Sequence, residues 1–253
     1  MSRTERTVYG ARHMADFSAV RPGPLALVNR EHPLPGGFTV TLAPPVEAAP
    51  DILLEAQAAR MLAACLAAIG AGGRIVPVSG WRSHAEQKQI WDDTLAKEGE
   101  AFTRAYVAWP GCSEHESGLA IDLAEAAEEI DFIRPAFPYD GICGAFRRAA
   151  AQYGFIERYR ADKTALTGIA AEPWHFRYVG APHAMLIEQR GLCLEEYIGL
   201  LAEGPLTCPL SNGRRATVRR VAAGAVLPPT AGLRQLSGDN AGGLILADWG
   251  AIA

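Results

Sequence analysis

Apolar positions along this chain fall into short blocks whose period keeps changing. LALVN (25–29), just after Pro22, Gly23 and Pro24, predicts a short strand or extended run. HPLPGG (32–37) predicts a turn, and FTVTLA (38–43) alternates as a strand does. Pro44, Pro45 and Pro50 then interrupt the pattern. From Ile52 to Ile69 the spacing of Leu62, Leu66 and Ile69 predicts a helix, with Asp51 as its N-cap. Gly70, Gly72 and Gly73 stop it, and RIVPV (74–78) predicts a short buried strand. Ser83 and Glu86 stand in the S-x-x-E relation of a capping box, which predicts a helix from Ser83 to about Lys97.

Further on, GLAIDL (118–123) predicts a strand, FIRPAFP (132–138) a loop, and GAFRRAAAQYG (144–154) a short helix closed by Gly154. FIERY (155–159) and HFRYV (175–179) alternate as strands, and helices follow at about 183–189 and 194–202. Helices mixed with short strands, without a regular βαβ repeat, predict an α+β fold: a mostly antiparallel central sheet flanked by helices. Past Gly204 the chain turns to Thr, Val, Gly and Pro in short apolar runs, with SGDN (237–240) as a turn, and predicts a small C-terminal β appendage. The expected organisation is an N-terminal arm over 1–24, a main domain over 25–203 and the appendage over 204–253.

Composition narrows the function classes. The chain has 253 residues, 49% of them hydrophobic, enough for one large core and a small addition. The net charge is -4 and there is no long basic run, which argues against a nucleic-acid partner. The cluster Arg214, Arg215, Arg219 and Arg220 reads as a solvated strand face. No apolar run approaches the ~20 residues that span a bilayer, and residues 1–20 hold no apolar block of signal-peptide length. Five cysteines without a C-x-x-C pair resemble neither a disulfide framework nor a thiolate zinc site. Free thiols fit a reducing compartment, so the expected location is cytoplasmic, a removed export signal being the alternative.

Two segments concentrate the chemistry: SEHESGLAID (113–122) and EPWHFRYVG (172–180). His115, Asp122 and His175 can supply three zinc ligands, leaving a fourth position for water, as in catalytic sites. Glu172 stands three residues before the last of them, where a general base is wanted. Singly, each reads equally as a hydrogen-bonded or surface group; together they form a pattern. Strict alternation puts Glu172 and His175 on opposite faces of a strand, so a bend at Pro173 is required. Trp174 reads as core or as a wall of the cavity. Arg82, beside the helix cap at Ser83, offers a rigid fork to an anion, with Gln87 about one turn on; pairing with a structural acid is the even alternative. His13, His32, His84 and His183 read as structural or exposed.

The segments VPVSGWRSHAEQ, FTRAYVAWPGCSEHESGLAIDL, YGFIERY and EPWHFRYVG, in this order, resemble the zinc D-Ala-D-Ala peptidases of vancomycin resistance, the VanX, VanY and VanXY types. The resemblance runs from about Leu27 to Leu201, with wording nearest the VanY and VanXY types. It implies the α+β fold shared with the hedgehog signalling domain, and one Zn2+ per chain on His115, Asp122 and His175. It makes Glu172 the catalytic base and Arg82 the stabiliser of substrate and transition state. Gln87 and Ser113 match positions that line the substrate pocket, and Ser79 and Trp174 are expected to face the substrate with them. The implied partners are peptidoglycan peptides or precursors ending in D-Ala-D-Ala, with removal of the terminal D-Ala. Ser79 stands where some bifunctional members have an acid that meets the ammonium of a dipeptide, which tilts the expectation toward longer peptides. An L,D-carboxypeptidase acting on wall tetrapeptides and a catalytically inactive peptide-binding module are the alternatives. The β appendage lies outside the recognised pattern.

Overall fold

In a computed structural model of the chain, the helical spacing after Ile52 folds as α1 (Ala56–Ala68), burying Leu62, Cys65 and Leu66 on one face. The structure describes residues 23–210, 213–222 and 232–250, so the arm expected over 1–24 lies outside it except for its last two residues. Helix α1 starts later than expected because Leu54–Glu55 (β2) pairs antiparallel with Leu42–Ala43 (β1). Its N-cap is therefore Glu55, not Asp51: the Glu55 carboxylate accepts from the N–H groups of Gln57 and Ala58 at 2.9 and 3.0 Å. Of the strand expected over 38–43, only the last two residues pair. Residues 25–28 are buried but form no strand. The Leu25 N–H donates to Ser237 Oγ and the Leu27 N–H to the Asp239 carbonyl, so the C-terminal region satisfies that backbone instead of a sheet ladder.

The central sheet holds β3 (Ile75–Ser79), β4 (Ala120–Glu125), β5 (Phe155–Tyr159) and β6 (Glu172–Tyr178) in the order β3-β4-β6-β5, each neighbour antiparallel. One face packs Ile121, Leu123, Phe155 and Phe176 against α1 and against α4 (Gly141–Ala150), with Leu62 and Phe146 facing them. Burying each such side chain stabilises by about 1.5–3 kcal/mol. The opposite face carries the polar residues described below. It is bordered by α2 (His84–Glu98), whose expected capping box is formed, and by α3 (Glu100–Tyr106), which the sequence pattern did not announce.

A second core joins Leu25, Leu27, Ile156 and Val179 to helices α6 (His183–Arg190) and α7 (Leu194–Glu203) and to a C-terminal sheet. That sheet comprises β7 (Leu206–Pro209), β8 (Arg215–Ala222), β9 (Leu233–Gly238) and β10 (Gly243–Trp249) in the order β7-β8-β10-β9. Ala216, Val218, Ile245 and Ala247 turn their side chains to α6 and α7, so the appendage shares its core with the main domain. Two of the basic-cluster residues bond within it: Arg220 to Asp239 at 2.6 Å and Arg219 to Asp248 at 3.4 Å. Among the described residues, no helix is long and apolar enough to cross a membrane.

Candidate metal centre and cleft

Strand register assembles the site. Asp122 on β4 sits opposite Ser79 on β3 and opposite His175 on β6. Residues directly opposed in neighbouring strands share a face, and alternation sends Ile121 and Leu123 to the core while Asp122 points the other way. The ladder slips between Pro77 and Ser79, which brings Ser79 into this row.

His115 arrives from a short 3-10 turn, Glu114–Ser117. Gly118 ends that turn at φ 73° and directs the chain into β4. A Cβ there would also press Val40 Cγ2 at 3.1 Å and the Glu55 nitrogen at 3.2 Å. His115 Nδ1 lies 2.7 Å from the Gly80 carbonyl. A carbonyl only accepts, so Nδ1 carries a proton and Nε2, 3.2 Å from Asp122 Oδ2, is the nitrogen placed to meet a metal. Gly80 permits this approach: a Cβ on it would lie 2.3 Å from the Leu53 carbonyl oxygen.

The conflict at Glu172 is resolved by a second break in the ladder. Glu157 pairs with Phe176, yet Tyr159 pairs with Glu172, so residues 173–175 of β6 face Arg158 alone on β5. The bulge turns Glu172 onto the His175 side, with Oε2 3.7 Å from His175 Nδ1. Burial pushes the Glu172 carboxyl up to about 8, with the nearby Asp122 adding to the shift and His175 and Arg82 opposing it.

Ligand atoms of His115, Asp122 and His175 all lie within 4.8 Å of one another, and all three residues are buried. His175 Nδ1 is 3.0 Å from Asp122 Oδ1. Two imidazoles and a carboxylate suit zinc, and the two shorter separations approach those between ligands about 2.0–2.2 Å from one tetrahedral ion. Burial works against the Asp122 charge, but His115 and His175 hold the carboxyl well below its ordinary range. Burial also works against an imidazolium at His175, yet hydrogen bonds to Asp122 and Glu114 prevail and raise it to about 9.

Arg82 is anchored at several points. Its Nε and Nη2 donate to Ser79 Oγ at 2.9 and 2.7 Å, its Nη1 to Gln87 Oε1 at 3.3 Å, and its Nη2 lies 3.3 Å from Asp122 Oδ2. Gln87 is itself fixed by donating to the Ala108 carbonyl at 2.9 Å. Arg82, Gln87, Ser113 and Trp174 line one cleft with the metal cluster and Glu172. Trp174 also belongs to the core, so both of its expected roles hold. Ser79 differs: it does not line the cleft, because its hydroxyl is turned beneath the Arg82 guanidinium.

Three contributors escaped the sequence reading. Glu114 is buried between Arg158 Nε and Arg177 Nη1, each 2.8 Å away, with Oε2 3.5 Å from His175 Nε2. Tyr159 packs its ring 4.8 Å from that of His175. Phe132, from the expected 132–138 loop, lies under the Arg82 guanidinium at 5.8 Å. One signal was visible: Arg158 and Arg177 sit within FIERY and HFRYV, where a buried charge requires a buried acid. The other described histidines lie outside the metal cluster, His84 on Glu116, His183 on Tyr197 and His32 on Asn29. His13 lies outside the described residues.

Comparison with known proteins places the chain in one family. Residues 51–181 match the family described as VanY: D-alanyl-D-alanine carboxypeptidase. The bifunctional D-Ala-D-Ala dipeptidase and carboxypeptidase VanXYC of Enterococcus gallinarum is 40% identical over 183 residues, 71% of this chain and 95% of that protein. The vancomycin-resistance D,D-dipeptidase VanXYg, solved with a D-Ala-D-Ala phosphinate analogue, superposes with a TM-score of 0.86 at 43% identity, covering 90% of this chain and 94% of that one. That share is too large to omit the C-terminal sheet, so the appendage has a counterpart in that protein, while the family match over residues 51–181 ends before it. A D,D-pentapeptidase VanY from a VanB-type resistance cassette, solved with Zn(II), gives a TM-score of 0.59 at 31% identity, covering 69% of this chain and 98% of its own.

Proposed function

This chain belongs to the VanY D-alanyl-D-alanine carboxypeptidase family, and on that premise we propose that it is a zinc peptidase removing D-Ala from the C-terminus of peptidoglycan peptides or precursors that end in D-Ala-D-Ala. The observation that carries the reading is the His115, Asp122 and His175 cluster with the unligated Glu172 carboxyl 3.7 Å from one of its members. We assign one zinc ion per chain to that cluster. When bound, zinc polarises the scissile carbonyl and acidifies water.

The protein's own groups do the rest. Glu172, beside the cluster, accepts in its ionised form the proton of the attacking water. The new C–O bond forms at the penultimate carbonyl as the C–N bond breaks, and Glu172 returns the proton to the departing amine of D-Ala. Arg82, held by Ser79 and Gln87, presents its guanidinium to negative charge on the substrate and the transition state. Gln87, Ser113 and Trp174 shape the walls around it. Because the Ser79 hydroxyl is engaged by Arg82, position 79 has no free group to meet a dipeptide ammonium, which favours longer substrates. Residues 25–203 contain every group used here, so we take them as the catalytic unit, with 204–253 as its appendage. All five cysteines are unbonded thiols, which supports action in the cytoplasm on precursors before export.

The test is mass spectrometry of the products from L-Ala-D-Glu-L-Lys-D-Ala-D-Ala, with and without chelator. Terminal D-Ala is released by the zinc-loaded protein, and Glu172→Ala retains zinc while losing about 10²–10⁴-fold in rate. Wild-type turnover by Glu172→Ala refutes the scheme.

A further inference from the structure

The cleft at the metal cluster does not end at Tyr159. Val107, Ala108, Tyr159 and Ile169 wall a second cleft as well, so the two adjoin along these four residues. Arg82, just beyond the β3 edge of the sheet, borders only the first part. Past Tyr159 on the β5 edge, the second part runs between residues 27–32 and the loop at α5 (Thr164–Thr167).

The far wall is not ordinary surface. Trp109 is 51% exposed and Leu166 54% exposed, and both line the second cleft. Among the described residues seven large apolar side chains are exposed, and these two together with Phe132 border the two adjoining clefts. Clustered exposed apolar groups beside polar ones mark a binding surface. Arg30 and Arg104 stand on the same walls, both exposed, with Glu31 as the opposing charge. Arg104 is paired with Glu100, whereas Arg30 makes no ion pair with a described residue. Glu195, on the same wall, is engaged by Arg158.

We propose that this second cleft is the subsite for the acyl-side stem of a longer peptide substrate, meaning the residues that precede the terminal D-Ala-D-Ala. Trp109 and Leu166 pack its aliphatic parts, and Arg30 receives a carboxylate carried by the stem. The inference rests on the peptidase reading above. An extended chain advances about 3.3 Å per residue, so three residues beyond the scissile pair reach about 10 Å further, while an acetyl cap adds only about one such step. Contacts remote from the reacting bond then raise kcat/KM for long substrates alone.

The test compares the pentapeptide L-Ala-D-Glu-L-Lys-D-Ala-D-Ala with acetyl-D-Ala-D-Ala. Trp109→Ala is expected to lower kcat/KM for the pentapeptide about tenfold, the scale of an aromatic anchor, and to leave the short substrate unchanged. Trp109→Phe, which keeps the ring against Trp91 4.9 Å away, restores it. Leu166→Ala acts in the same sense. An equal fall on both substrates, or no fall on either, overturns the proposal. If the wild-type protein cleaves neither peptide, the peptidase reading has failed. Calorimetry of pentapeptide binding then decides the cleft by itself: weakening in Trp109→Ala supports it, and unchanged affinity refutes it.

Discussion

Glu114 stands behind His175. Its Oε2 lies 3.5 Å from Nε2 of the imidazole, while Nδ1 on the other edge of the ring lies 3.0 Å from Asp122. The same carboxylate is held by the buried guanidinium groups of Arg158 and Arg177, each 2.8 Å away. Acceptors placed behind a metal-binding imidazole orient the ring, and losing one costs about 10–100-fold in metal affinity. Glu114→Gln keeps the size but leaves the buried Arg177 without its counter-charge and Arg158 with Glu195 alone. The predicted outcome is a zinc Kd raised about 10–100-fold, together with a stability loss of about 3–5 kcal/mol, the scale of breaking a buried pair from one side. Chelator competition and urea titration measure the two; unaltered zinc affinity contradicts the arrangement.

Zinc uptake is predicted to expel a proton. In the metal-free protein His175 titrates at about 9, so at pH 7 its ring is charged. A ligand must be neutral to bind. Zinc affinity therefore rises with pH up to about 9 and levels above it. Calorimetry in two buffers of different ionisation heat reads the released proton directly, and affinity that stays flat between pH 6 and 9 rules this out.

Gly80 is predicted to tolerate no side chain. A Cβ would meet the Leu53 carbonyl oxygen at 2.3 Å, and the Gly80 carbonyl that holds the His115 ring would move with it. Gly80→Ala should lose about 1–3 kcal/mol, as overpacking does, and should weaken zinc binding through His115. A melting curve and a zinc titration like those of the unaltered protein would sink the argument.

Acid should destabilise the fold through His183. Burial holds this ring down at about 3, its Nδ1 2.8 Å from the Tyr197 hydroxyl. The unfolded chain protonates near 6.5 and the folded one only near 3, so the contribution is complete above 6.5 and is lost as pH falls from there to 3. The slope approaches about 1.4 kcal/mol per pH unit. His183→Gln should flatten that part of the curve relative to the unaltered chain in urea titrations at pH 7 and pH 4; an identical slope in the two proteins contradicts it.

Local chemistry was legible before folding was considered. The Ser83 and Glu86 capping box formed as read, because both partners lie within one turn. His115, Asp122, His175, Glu172 and Arg82 converge in one cleft; two short motifs had marked the first four, and the helix cap at Ser83 had marked Arg82. The start of α1 was misplaced because the β1–β2 pairing that sets it joins residues over ten positions apart. Ser79 was expected to face the substrate, but the guanidinium three residues on claims its hydroxyl.

Residue identity alone decided which donors are present, two imidazoles, a carboxylate and a spare acid, and hence the kind of ion and reaction they suit. Folding decided whether they meet. Side chains in a strand alternate, so Glu172 and His175 reach one cavity only because β6 bulges between them, and that bulge exists only in the register with β5. The Glu114 cluster and the cleft past Tyr159 have the same origin. They are built by pairings between distant segments, and no window of sequence short enough to read as a pattern contains both partners.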